Sequence, residues 1–193
     1  IFYPWVINIK EPTLAGTAGG IRDNKIFFFG KPLMIIHADN WFDFELNDFL
    51  EKRKFTKKNN CSITMLTFNS ENPKSVGTVS ITKDGIVKGF FEKVSNPISN
   101  RANGAIYIFE KDVINLICTD SSIIDLSLHV LPKFLGKIMT FHTDSYFRDI
   151  GSIASLKKAQ FDPKHESCWD TSSFLSREPK FKEIQELLED QSE

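Results

Sequence analysis

Short runs rich in Ile, Val and Phe recur along this chain with helix-like stretches between several of them, and that rhythm constrains the fold more than any single motif. The β-like runs are Trp5 to Lys10, Leu33 to Ala38, Ser62 to Phe68, Val76 to Thr82, Val87 to Glu92, Ala105 to Phe109 and Ile138 to His142. Helical periodicity marks Phe44 to Lys54, where Leu46, Phe49 and Leu50 share a face, and returns in Glu110 to Ile117 and Ser152 to Gln160. Strands alternating with helices predict an α/β sheet. Asp84-Gly85 between two β-like runs is a hairpin signal, so a smaller antiparallel element is expected beside the main sheet.

At 193 residues the chain has the length of one domain with a substantial core. With 24 basic and 25 acidic residues, and no basic block, it carries no footprint for nucleic acid. Cys61, Cys118 and Cys168 are far apart without C-x-x-C spacing, which argues against a disulfide framework or a zinc site and predicts a reducing cytoplasm. No apolar run approaches the ~20 residues that span a bilayer, so no membrane association is expected. From Phe161 the sequence turns polar and turn-prone, and Lys180 to Asp190 then reads as an amphipathic helix for packing or a homodimer contact.

Candidate chemistry begins at Glu11 to Ile21. There Gly16, Gly19 and Gly20 permit sharp turning and close approach to a ligand, and Thr17 can cap a short helix with N–H groups open to a base or phosphate. The plain alternative is a glycine-rich turn. Leu33 to Ile36 reads as a central parallel strand buried on both faces, with Asp39 at its carboxyl edge, where open α/β sheets bind ligands. A carboxylate there can hold a divalent cation, with Asn40 and water completing an oxygen shell. Equally, Asp39 can cap a turn and Asp43 the next helix. A second carboxylate, Asp149, follows a β-like run and precedes Gly151 and a helix, so the two aspartates could share one metal. Glu92 and Lys93 adjoin on a strand and point to opposite faces unless a bulge or strand end unites them. Asn103-Gly104 reads as a turn, and the four histidines show no catalytic or metal spacing.

In order, "LAGTAGGI", "MIIHADNWFDF", "SVGTVSITKDGIVKGFFEKV", "NGAIYIFEKDVI", "LPKFLGKI" and "YFRDIGS" resemble the sugar-nucleotide pyrophosphorylases, the sugar-1-phosphate nucleotidyltransferases. The likeness covers roughly Trp5 to Gln160 and leans toward the bacterial mannose-1-phosphate and heptose-1-phosphate guanylyltransferases. It implies a Rossmann-like α/β fold: a mixed, mostly parallel central sheet with helices on both faces and a small antiparallel β element. Residues 1–160 would form the nucleotidyltransferase domain and 161–193 a C-terminal tail. The implied reaction joins an NTP and a sugar 1-phosphate into an NDP-sugar and pyrophosphate with Mg²⁺, for bacterial surface polysaccharide precursors.

By the same resemblance, Gly16, Thr17, Ala18 and Gly19 would line the nucleotide pocket. Asp39 and Asp149 would hold Mg²⁺, and Gly77, Glu92, Lys93, Asn103 and Gly104 would surround the sugar phosphate. Glu92 would take sugar hydroxyls and Lys93 the phosphate, making Asp39, Lys93 and Asp149 the catalytic set, with Trp41 bordering the sugar. The family's opening G-x-G-T-R loop and Lys-Pro motif have no counterpart after Ile1, so the chain is expected to lack that phosphate-binding segment and to turn over poorly alone. Two other functions fit parts of this pattern: a non-catalytic sugar-nucleotide binding or regulatory module, and a metal-dependent glycosyltransferase using Asp39 and Asp43.

Overall fold

The structure, a computed structural model, describes residues 7–28 and 30–162. The expected helix at Lys180 to Asp190 and the first two residues of the expected strand at Trp5 lie outside that range. The described residues fall into two compact units, 7–37 with 45–144 and 38–44 with 145–162.

The larger unit is built on six strands: β1 (Leu33–Ile36), β3 (Ile63–Asn69), β4 (Gly77–Ile81), β5 (Val87–Glu92), β6 (Arg101–Phe109) and β7 (Ile138–His142). They run in the order β5-β4-β6-β3-β7. β3 takes one edge of β6, while β4 and β1 share the other, at Thr78↔Ala102 and from Leu33↔Phe109 to Ile36↔Ile106. The sheet is mixed, as expected, but β3 with β7 is its one parallel pairing among the described residues, so antiparallel pairing dominates. The Asp84-Gly85 hairpin forms, with Gly85 at φ +82°, and joins the main sheet through β4.

Alternation along β3 explains how helices cover both faces. Ile63 and Met65 pack with Tyr107 and Phe109 of β6 against Ala18 and Ile21 of α1 (Gly16–Asp23) and Val113, Ile114 and Ile117 of α3 (Lys111–Thr119). Thr64 points the other way, where its hydroxyl lies 2.7 Å from that of Thr56 in α2 (Leu46–Lys58). Phe49 of α2 meets Phe141 edge to face at 5.6 Å. Fully burying an Ile, Leu or Phe side chain contributes about 1.5–3 kcal/mol, so the larger α1/α3 cluster dominates stability. Leu46 and Leu50, read as part of the apolar stripe of α2, are 41% and 42% exposed. The fully buried residues of this helix are Phe49 and Thr56, two turns apart, with Arg53 half-buried against Glu110.

Two further expectations are corrected. Ile7 to Lys10 form no strand, and Ile7 and Ile9 are exposed. β1 is neither parallel to its neighbour nor buried on both faces; it runs antiparallel to β6, and Ile36 is 44% exposed. An unbroken apolar run of four residues reads the same for a buried strand and a half-covered one, and only the pairing separates them.

The smaller unit holds β2 (Asn40–Phe42) paired antiparallel with β8 (Phe147–Asp149), followed by α4 (Ile153–Phe161). Arg148 Nε and the Tyr146 hydroxyl both donate to Asp162 Oδ2, at 2.5 and 2.6 Å, tying the end of α4 back to β8. No helix among the described residues is long and apolar enough to cross a membrane.

α1 contains three glycines in eight residues, each about 1 kcal/mol worse than Ala in a helix, so tertiary contacts must hold it. The Ala18 N–H donates to Ile124 O at 3.1 Å, and Arg22 Nη1 donates to Ile123 O at 2.8 Å. Gly16 sits at φ +78°, where a Cβ would lie 2.2 Å from that same Ile124 oxygen. Gly30 has a similar φ of +71° with nothing nearby for a Cβ to meet. Gly30→Ala should therefore cost only the left-handed backbone term of about 1–3 kcal/mol, and Gly16→Ala clearly more. Urea denaturation midpoints of the two variants check this ordering.

Candidate functional site

The larger unit gathers polar groups where β5 ends and β6 bends. Lys93 follows β5 with φ +49°, a left-handed step that breaks the strand's alternation. Its ammonium consequently lies 3.9 Å from Glu92 Oε1 instead of on the opposite face, which is the strand-end geometry that a shared Glu-Lys site requires. Gly77 pairs with Glu92 across the hairpin, and a Cβ on Gly77 would come within 2.6 Å of Glu92 Oε2. Glycine there leaves room for the carboxylate.

Asn103-Gly104, expected as a turn, lies inside β6. The bend is still present: Asn103 Oδ1 accepts the N–H of Ala105 at 3.1 Å, and Ala105 has φ +51°. The turn-forming chemistry was real, but it produces a kink within a strand. Gly104 packs against β3, where a Cβ would meet Leu66 Cδ2 at 2.9 Å and Leu66 O at 3.3 Å. Asn103 Nδ2 donates to the Tyr107 hydroxyl at 2.6 Å. Tyr107 is fully buried, and burial drives its pKa up, countered by hydrogen bonds from Asn103 and Ser127 and reinforced by Glu92 and Asp125. Glu92 is likewise raised above the ordinary carboxylate value, first by burial; Lys93 opposes the shift and Asp125 adds to it.

Asp125 and Ser127 escaped sequence reading because "SIIDLSLHV" carries no motif. They stand in a π-helical turn, Leu126–Val130, whose N-cap is Asp125. Asp125 Oδ1 accepts from Leu128 N at 2.8 Å, and the neighbouring Leu126 N–H donates to Thr17 Oγ1 at 2.9 Å. Thr17 was expected to cap α1. Instead the helix already begins at Gly16 after Ala15, without a side-chain cap, and Thr17 serves the 124–126 turn. Gly16 and Thr17 are exposed, whereas Ala18 and Gly19 are buried and the Ala18 N–H is engaged with Ile124.

In the smaller unit Asp39 and Asp149 come together. Asn40 pairs with Asp149 across β2 and β8, and Ile150 N donates to Asp39 O at 2.7 Å. Gly151 N donates to Asp149 Oδ1 at 2.7 Å and fixes that carboxylate. A Cβ on Gly151 would lie 2.9 Å from Asp39 Oδ2 and 3.0 Å from Asp149 Oδ1. Both side chains are exposed, and the space between them is kept by the absence of one methyl group. Two hard carboxylate oxygens around one point suit a Mg²⁺-type cation, which keeps waters and takes phosphate oxygens for its remaining positions. No cluster of three or more His, Cys, Asp or Glu side chains fit for a metal occurs among the described residues, so a cation between the two aspartates would need water or ligand oxygens to complete its shell. Trp41, on β2, is 56% exposed.

The model of the nucleotidyl transferase family matches residues 6–165. The chain belongs to that family. Similar nucleotidyl transferases include the glucose-1-phosphate adenylyltransferase of Mycoplasma mobile, 25% identical over 82% of this chain and 44% of that protein. The mannose-1-phosphate guanylyltransferase of Mycobacterium tuberculosis is 26% identical over 80% of this chain and 43% of its own length. This nucleotidyl transferase chain thus spans less than half the length of these curated relatives. Among solved structures, HddC from Yersinia pseudotuberculosis complexed with GMP-PN superposes with a TM-score of 0.63 at 23% identity, over 80% of this chain and 66% of that one. A Bacillus anthracis protein assigned as a glucose-1-phosphate thymidylyltransferase, in complex with a sucrose, gives 0.69 at 18% identity, over 81% and 65%. These likenesses establish the nucleotidyltransferase fold for the chain.

The raised Glu92 has a consequence for stability. A carboxyl that binds its proton more tightly when folded adds stability at low pH, and that contribution is lost as pH rises through its raised value. Glu92→Gln should therefore melt about 1–3 °C above the unmodified chain at neutral pH, with the gap closing on acidification. Thermal denaturation across that pH range measures it.

Proposed function

We propose that this chain carries the sugar-binding and cation-binding parts of a sugar-1-phosphate nucleotidyltransferase, which converts an NTP and a sugar 1-phosphate into an NDP-sugar and pyrophosphate. The observation that carries the reading is the space beside Gly151, flanked by Asp39 and Asp149, in a chain of the nucleotidyl transferase family. In the reaction an oxygen of the sugar phosphate attacks the α-phosphorus of the NTP; the new P–O bond forms as the bond to the β-phosphate bridging oxygen breaks, and pyrophosphate leaves with that electron pair. No protein nucleophile is needed, so positioning and charge carry the catalysis.

Each residue then has a task. Glu92, half-buried, accepts hydrogen bonds from sugar hydroxyls, with the charges of Lys93 and Asp125 acting on it. Lys93, aimed to the same side by its left-handed backbone, faces the sugar phosphate with a mobile positive charge. Gly77 leaves room for the Glu92 carboxylate, and Gly104 lets the bent β6 close on Leu66 of β3. Gly16 and Thr17 present the exposed start of α1 to the nucleotide, with Ala18 and Gly19 anchoring it from the core side. Asp39 and Asp149 would hold a divalent cation, which when bound supplies positive charge to phosphate oxygens; Mg²⁺ is the cation we propose. Guanylyl transfer is supported by likeness to the guanylyltransferase and to HddC with GMP-PN, against relatives named for adenylyl and thymidylyl transfer.

The full gene product, given each NTP with a panel of hexose and heptose 1-phosphates, should release pyrophosphate in the presence of Mg²⁺. Asp39→Asn and Asp149→Asn should each lower kcat by about 10²-fold or more while leaving the melting temperature within a few degrees. Pyrophosphate from none of the pairings would contradict the reading, and sugar transfer from an NDP-sugar would favour a glycosyltransferase instead. Gly151→Ala should weaken Mn²⁺ binding by about tenfold or more in calorimetry, because its methyl group occupies the space between the carboxylates.

A further inference from the structure

His129 has a ring nitrogen where a proton would be disruptive. Its Nδ1 lies 3.3 Å from the backbone N of Ile124 and 3.1 Å from that of Asp125. Both neighbours are N–H donors, so Nδ1 must be the unprotonated, lone-pair nitrogen of a neutral ring. The two N–H groups share this one acceptor, and His129 N in turn donates to Asp125 O at 3.1 Å, closing the turn on itself.

The turn so held is connected on both sides. Ile124 O accepts the N–H of Ala18, Leu126 N donates to Thr17, and Gly16 lies under the Ile124 carbonyl. On its other side Ser127 hydrogen-bonds Tyr107, and the Asp125 charge acts on both Tyr107 and Glu92. His129 also lines a surface cavity of about 380 Å³ with Ser122, Pro132 and Lys133. The charged groups around it are Asp125 on its own turn, whose carboxylate is committed to Leu128 N, Lys133 on the following turn, and Asp120. Asp120 is engaged by Ser122, and its pKa is lowered first by that hydrogen bond, with Lys133 and Arg22 contributing.

We propose that His129 is a positioning residue: through an unprotonated Nδ1 it sets the Ile124–Leu126 turn on which the start of α1 and the Glu92–Tyr107 pocket both depend. Removing that acceptor leaves the Ile124 and Asp125 N–H groups without their partner and so releases the turn from both. The functional importance of the coupling rests on the sugar-nucleotide reading above; the coupling itself does not.

Amide hydrogen exchange on the chain without ligands decides it. In His129→Ala the amides of Ile124 and Asp125 should lose protection by about tenfold or more, and those of Ala18 and Leu126 should lose it with them. His129→Asn, whose side-chain oxygen can stand in for Nδ1, should keep all four amides protected. Protection of Ala18 and Leu126 that survives in His129→Ala, or that is lost equally in His129→Asn, overturns the proposal. If His129→Ala fails to fold, the imidazole nitrogen spectrum of the unmodified chain decides: the ring proton on Nε2 supports the proposal and a proton on Nδ1 overturns it. In a second arm, calorimetry with glucose 1-phosphate should show lower affinity in His129→Ala and unchanged affinity in His129→Asn. Absence of any sugar-phosphate binding would count against the substrate reading and leave the exchange result to judge His129.

Discussion

The bend at Ala105 is the constraint on which most of the larger unit depends. β6 has three neighbours, and its left-handed residue divides the strand so that β4 pairs before it, at Ala102, and β1 after it, from Ile106 to Phe109. On the opposite edge, β3 absorbs the same irregularity as a register shift between Met65 and Thr67. A non-glycine residue in this conformation costs about 1–3 kcal/mol and persists only where its surroundings fix it. Here the Asn103 side chain takes the Ala105 N–H, Gly104 admits Leu66 against the backbone, and three strands hold the flanks.

That bend also positions the polar side chains of the candidate site. The bend sets Asn103 against the Tyr107 hydroxyl, which Ser127 also hydrogen-bonds and on which the charges of Glu92 and Asp125 act. Lys93 repeats the device at the end of β5, where a second left-handed residue turns a charge that alternation would have sent away. Of the three non-glycine residues with left-handed backbone among the described residues, Asn60 follows the end of α2 while Lys93 and Ala105 both stand in the candidate site, where such strain is expected if geometry serves a ligand more than the sheet.

Periodicity and turn chemistry located most elements in the sequence, because those signals are local. The limits of β5 and β7 agree with their apolar runs, and Asp84-Gly85 made its hairpin. What periodicity could not supply was pairing direction: Leu33 to Ile36 looked central and parallel because a four-residue apolar run contains no information about its neighbours. Asn103-Gly104 was read by its usual preference, and the surrounding sheet turned that preference into a kink. The aspartate pair was legible from motif order, since Asp39 and Asp149 are 110 positions apart and nothing local connects them. Asp125, Ser127 and His129 were not legible, because their roles come from backbone groups of a turn that no motif announces.

The central claim is that Asp39 and Asp149 form a divalent-cation site around the space at Gly151. Titrating the isotope-labelled chain with substoichiometric Mn²⁺ and following paramagnetic broadening of its amide resonances tests this most directly. The account predicts that Asn40, Ile150 and Gly151 broaden first, that Mg²⁺ competes the effect away, and that Asp149→Asn abolishes it. Broadening that begins elsewhere, or that persists unchanged in Asp149→Asn, would contradict it.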